Sequence, residues 1–169
     1  MGRLREDPAV ASSVIATNLF GAINTIDPVV ERMCMRGRGR LAVVGSIGAF
    51  RGLPSCPAYS VSKAGVHAYA ESLRPTLAAQ GVAITIIAPG FVETPLNRDV
   101  VCPKPLQMTA DRAAAIIRRR LDRGDAIIAF PRLLAYGLQL TRLLPRRWVD
   151  LALHHVHVDI PDRSEPHSE

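Results

Sequence analysis

With 169 residues, 48% of them apolar and 21% charged, the chain has the length and composition of one domain with a sizeable core; aromatics at 5% leave that core to Ala, Val, Ile and Leu. The net charge of +6 comes from arginines such as Arg36, Arg38, Arg40, Arg118, Arg119, Arg120, Arg142, Arg146 and Arg147. They fall at predicted helix ends and turns without interleaved aromatics, which argues against a nucleic-acid surface.

From Pro8 to Met35 the apolar residues Val10, Val14, Leu19, Ile23, Ile26, Val30 and Met33 recur at steps of three to five, the period of a helix. Asp27-Pro28 reads as a kink, or as an N-cap with proline in the first turn of a second helix. GRGR at 37–40 ends the pattern, and LAVVGS follows as a short buried strand. A loop with Gly48, Gly52, Pro54 and Pro57 leads to a long helix, 58–79, with Gly81 as its stop. VAITIIAPG (82–90) is a second apolar strand, closed by Pro-Gly. TADRAAAIIRRRLDRG predicts a helix capped by Thr109 or Asp111, and DAIIAF a third strand that stops at Pro131.

Apolar strands without polar alternation, each separated by a helix, predict an α/β fold: a partial, doubly wound parallel sheet of about three strands with flanking helices. Beyond it, RLLAYGLQLTRLLPRRWVDLALHHV predicts an amphipathic helical extension broken at Pro145. It is expected to pack on the sheet or on a partner subunit; contact with a membrane surface is not expected. PDRSEPHSE should be disordered. The organisation is thus an α/β unit over 1–130, a helical extension over 131–160 and a tail over 161–169. The longest apolar run, Val82–Val92, is too short for a bilayer, and no basic-then-apolar leader opens the chain. Cys34, Cys56 and Cys102 show neither pairing nor metal-ligand spacing, and His155 and His157 in HHVHV have no acidic or cysteine partner at ligand spacing. A cytoplasmic protein without a metal is the expectation.

The chemistry concentrates in GSIGAFRGLPSCPAYSVSKAG, where Ser46 precedes Tyr59 by thirteen positions and Lys63 follows it by four. Four residues apart on a helix, Tyr59 and Lys63 share a face, and an ammonium beside a phenol pulls its pKa down from about 10. Such a tyrosine can act as general acid or base, and Ser46, just past a strand end, could hold a substrate oxygen against it. Singly, each has a structural reading: a strand-end hydroxyl on its own backbone, a packed aromatic near a helix start. His67 reads as an ordinary member of the long helix.

The joint pattern resembles the short-chain dehydrogenase/reductase family, whose signature is Tyr-x-x-x-Lys with a serine thirteen residues earlier. NLFG matches the family's Asn-x-x-Gly, with Asn18 twenty-eight residues before Ser46, and PGFVET (89–94) matches its Pro-Gly-x-Val-x-Thr. The resemblance runs from about residue 9 to 130 and implies an enzyme that interconverts an alcohol and a carbonyl with NAD or NADP. It implies that Tyr59 moves the proton, Lys63 lowers the Tyr59 pKa and binds the nicotinamide ribose, and Ser46 orients the carbonyl. Asn18 would hold a water through its backbone, and Pro89, Gly90, Val92 and Thr94 would line the nicotinamide. An apolar small-molecule substrate would border Leu96, Leu106 and Met108. The family's Thr-Gly-x-x-x-Gly-x-Gly turn, which grips the pyrophosphate, is not matched by RGRGR or GSIG.

The resemblance therefore covers the catalytic half of a family member, leaves the first strand with an open apolar edge, and weakens the expected grip on a dinucleotide. Family members often dimerise through the helices that correspond to 10–35 and 58–79, with Ala64, Gly65 and Ala68 allowing close approach, so a homo-oligomer is expected. The rival reading is a non-catalytic remnant that acts as an oligomerisation module. The epimerase and dehydratase branch shares Tyr-x-x-x-Lys, but Pro-Gly-x-Val-x-Thr favours the simple dehydrogenases.

Overall fold

The computed structural model describes residues 6–54, 56–95 and 103–153. Three strands form one parallel sheet in the order β1-β2-β3: β1 is Gly39–Val44, β2 Val82–Pro89 and β3 Ile127–Phe130. Val44 pairs with Ile87 and Pro89 with Phe130, so the strands end together at one edge. β2 is central and buried at Ile84, Ile86 and Ala88, as an uninterrupted apolar run between two parallel neighbours should be.

Helices α2 (Gly21–Met35) and α3 (Pro57–Ala79) lie against the sheet, and α1 (Pro8–Ile15), joined to α2 by a π-helical turn at Ala16–Phe20, packs on α3. Ile26 of α2, Val66, Ala70 and Leu77 of α3 and Val43, Val82, Ile84 and Ile86 of the strands make the main core. Asp7 caps α1 by accepting the Ala9 N–H. The start of α3 is capped from a distance: Glu6 Oε2 accepts the Ala58 N–H at 2.8 Å, placing an anion at a helix N-terminus. α4 (Ala110–Asp122), capped by Thr109 as the sequence suggests, packs Ala113 over Ile87, Ile128 and Phe130.

Two sequence-based expectations are corrected. Asp27-Pro28 does not restart the helix, because α2 runs through Pro28. Pro28 is exposed, so the carbonyl it leaves unbonded can meet water, while the irregularity falls earlier, at the π turn. At Gly65 a Cβ would press to 3.0 Å on Leu19, so glycine lets α3 approach the π turn closely. Finally, the Pro8–Met35 run is by length and composition apolar enough to cross a membrane. Here it lies along α3 with most of its outer side uncovered.

After β3, α5 (Arg132–Leu140), a 3-10 turn (Thr141–Leu143) and α6 (Arg146–Leu153) form the extension. The break falls at Pro145 as expected, with Leu144 extended at φ −86°, ψ 151° ahead of the proline. The segments 154–160 and 161–169, with the HHVHV run and the tail, lie outside the described residues. Among the described residues no cluster of His, Cys, Asp or Glu could hold a metal ion.

Candidate active site

The shared carboxyl ends of the strands open a crevice of the kind that binds ligands in parallel α/β sheets. Ser46 leaves β1 there and Gly90 leaves β2, and the Gly45 N–H still donates to the Ile87 carbonyl at 2.7 Å. A Cβ on Gly90 would crowd Pro131 Cδ at 3.0 Å and Ile47 Cδ1 at 3.1 Å, so glycine keeps the two chain exits close. α3 begins beside them and carries Tyr59 and Lys63.

The structure places Ser46 close enough to Tyr59 to act on its phenol. Ser46 Oγ accepts the Gly48 N–H at 3.0 Å and keeps its own proton to donate. Burial pushes the Tyr59 phenol above its ordinary value of 10.0; the Ser46 hydrogen bond opposes this, and Cys56 adds to it. The expected depression by Lys63 is therefore corrected. The Lys63 ammonium donates to the Val44 carbonyl on the open edge of β1, at 3.2 Å, and burial lowers its own pKa. Tyr59 is a phenol at neutral pH, the form that can give a proton to a carbonyl oxygen.

His67 is also corrected, since it does have a task at this site. Its Nε2 accepts the backbone N–H of Ser46 at 3.3 Å, and a Cβ on Gly45 would overlap the same nitrogen. Phe50 packs edge-on against the ring with centroids 5.4 Å apart. Burial, then the charges of Lys63 and Arg142, hold His67 down at about 4 against an ordinary 6.5. It is neutral at pH 7, and the Nε2 lone pair faces the serine. A signal for this was present: Tyr59, Lys63 and His67 follow one another at steps of four along one helical stripe.

Asn18 sits in the π turn, a distortion common at functional sites. Its Nδ2 donates to Ser62 Oγ at 3.2 Å, and Ser62, fully buried, donates to the Tyr59 carbonyl at 2.8 Å. Asn18 thus acts on the backbone of Tyr59 through a side chain, a link the sequence did not reveal. Asn18, Thr17, Val44 and Lys63 share a groove of about 400 Å³ along the open side of β1.

The PGFVET residues are less unified. Pro89 and Gly90 lie at the crevice, half-buried. Val92 turns to the core of Ile87, Ile128 and Phe130, and its backbone bridges Met108. Thr94 is half-buried. Met108, expected at a substrate border, is instead buried in that same core, and Leu106 is exposed at φ 56°. Leu96 lies outside the described residues.

A family model for short chain dehydrogenase matches residues 4–104. The chain belongs to that family. It is 39% identical over 139 residues to an uncharacterised oxidoreductase of Myxococcus xanthus, covering 82% of this chain and 55% of the relative. A short-chain dehydrogenase from Burkholderia cenocepacia in complex with NADP superposes at a TM-score of 0.75 and 23% identity, over 90% of this chain and 65% of that one. A second, from Sphingobium yanoikuyae in complex with NADPH, gives 0.70 at 17% identity, over 99% and 63%. At these identities the two structures show the fold. The chain spans about half the length of the Myxococcus relative.

The residues present fit one end of a nicotinamide dinucleotide. Lys63 offers an ammonium at the crevice, Ser46 and Tyr59 offer hydroxyls, and Gly90 offers bare backbone between Ile47 and Pro131. The other end, the pyrophosphate, would need a glycine-rich turn between a first strand and a first helix, which this sequence does not contain.

Proposed function

We propose that this chain supplies the catalytic half of a nicotinamide-dependent oxidoreductase that interconverts an alcohol and a carbonyl. The observation that carries the reading is the Ser46–Tyr59 hydroxyl pair at the carboxyl ends of parallel strands, with Lys63 one turn along the same helix. Ser46 holds the substrate oxygen, and Tyr59, as a phenol, gives it a proton in reduction or, as a phenolate, takes one in oxidation. Lys63, whose ammonium rests on the Val44 carbonyl, is the cation available to the cofactor's ribose. Asn18 and Ser62 fix the Tyr59 backbone, and His67 fixes that of Ser46. When bound, NADH or NADPH would supply the hydride in reduction and NAD or NADP would accept it in oxidation; Tyr59, Lys63, Pro89, Gly90 and Thr94 are the residues that would hold its nicotinamide end.

The test is a chimera that joins the amino-terminal half of the Myxococcus relative to this chain, assayed for carbonyl-dependent loss of NADH and NADPH absorbance. Turnover is expected, with Tyr59→Phe lowering it about a thousandfold while dinucleotide binding survives. Full turnover by the Tyr59→Phe chimera would overturn the assignment.

We further propose that the uncovered outer side of Pro8–Met35 pairs with a second copy of the chain. The support is the exposure of Val10, Phe20 and Met35 along this run, whose outer side nothing among the described residues covers. Light scattering that finds only monomer at working concentration would overturn this.

A further inference from the structure

We propose that the C-terminal helices α5 and α6 dock the molecule on an anionic lipid surface. α5 is apolar on two sides. Leu134, Ala135 and Leu138 face inward, toward Ile47, Phe50 and Ala88. Leu133, Tyr136 and Leu140, spaced by three and four, form a second stripe that is 77%, 52% and 59% exposed. An ordinary surface helix would carry polar groups on that side.

Exposed apolar residues continue along the sequence past the end of α5. Leu143 is 82% exposed in the 3-10 turn, and on α6 Trp148 and Leu151 are 61% and 74% exposed while Val149 turns inward. Positions 147, 148 and 151 share a helix side, so Arg147 sits among these apolar groups. Isolated exposed leucines need no explanation, but a run of this length with two aromatics does.

Charge decides the occupant. Between Arg132 and Leu153 the sequence holds Arg132, Arg142, Arg146 and Arg147 and one acid, Asp150, which pairs with Arg51 at 3.6 Å; Arg142 turns inward to the Phe50 carbonyl, which leaves Arg132, Arg146 and Arg147 for the surface. Arg132 lies over the Tyr136 ring, 5.6 Å from its centroid. A second copy brought against this face by a two-fold axis would set arginine against arginine. An anionic headgroup layer over hydrocarbon satisfies both halves of the surface at once: leucines and Trp148 enter the acyl boundary and the guanidinium groups meet phosphates. The outer side of Pro8–Met35 differs, since it mixes Asp27 and Glu31 with Arg32. Asp159, Asp162, Glu165 and Glu169 come later in the sequence and oppose an anionic surface, so the test uses the full chain.

Trp148 is the chain's single tryptophan and reports on the face directly. The full chain is titrated with vesicles of mixed phosphatidylglycerol and phosphatidylcholine, and with phosphatidylcholine alone, while Trp148 emission is followed. The expected result is a blue shift and shielding from an aqueous quencher with the anionic vesicles only, reversed by high salt. The pair Arg146→Ala and Arg147→Ala, both exposed and so harmless to the fold, should weaken partitioning about 30-fold. Emission unchanged by any vesicle overturns the proposal, as does equal binding to phosphatidylcholine alone. A blue shift that follows protein concentration instead of lipid would show a contact between copies and overturn it too. None of these readouts depends on turnover, so the outcome is independent of the proposed catalytic role.

Discussion

The imidazole of His67 accepts the backbone N–H of Ser46 at 3.3 Å, from a helix 21 positions further along the chain. A buried N–H without an acceptor costs about 1–3 kcal/mol, and a serine whose backbone swings loses its line to the Tyr59 oxygen. His67→Leu, in the active chimera, should lower kcat about tenfold with KM little changed. His67→Gln, whose amide oxygen can replace Nε2, should recover most of the loss. Equal defects in the two variants would reduce His67 to a packing residue.

His67 also sets a pH dependence. The folded chain holds it at about 4 and the unfolded chain at 6.5, so between these values the unfolded state binds the extra proton. The contribution to stability is complete above pH 6.5 and is lost as pH falls through the window to 4, amounting to about 3 kcal/mol over the whole span. Urea midpoints measured across that range should fall steeply for the native chain and less so for His67→Gln. Parallel curves would contradict the assignment.

Gly45 makes this contact possible, because a Cβ there would overlap His67 Nε2. Gly45→Ala is expected to destabilise the chain by about 1–3 kcal/mol, the usual range for overpacking. The double variant Gly45→Ala with His67→Ala should be less damaging than the two single effects combined. Additive losses in a thermal or urea series would show that the two positions act independently.

The sheet was legible because each strand is an apolar run bounded by glycine or proline, and Tyr59 with Lys63 was legible because a step of four needs only the helix. What the sequence hid depends on contacts across the fold. Pro28 looks like a breaker, and nothing local shows that its side of α2 faces water. The Asn18–Ser62–Tyr59 relay needs the π turn, which has no compositional mark. The pull of Lys63 on Tyr59 was inferred from proximity on the helix, yet the Val44 carbonyl at the edge of β1 draws the ammonium instead.

The far edge of the sheet is held by another cation. β3 turns the Ala126 and Phe130 carbonyls to β2, so those of Ile127 and Ala129 alternate to its open side. Arg120 of α4 takes both, Nη2 to Ile127 O at 3.0 Å and Nη1 to Ala129 O at 3.3 Å, while Nε binds Asp125. One planar guanidinium thereby occupies acceptors that would otherwise invite another strand. Arg120→Ala should cost about 2 kcal/mol, in line with hydrogen bonds to charged groups, and should raise concentration-dependent aggregation. Lys cannot span two carbonyls and a carboxylate from one planar group, so Arg120→Lys should recover only part of the stability. Asp125→Asn separates the two effects: it removes the ion pair but leaves the carbonyls covered, and so should lose stability without aggregating. Aggregation by Asp125→Asn equal to that of Arg120→Ala would assign the protection to the ion pair and not to the covered edge.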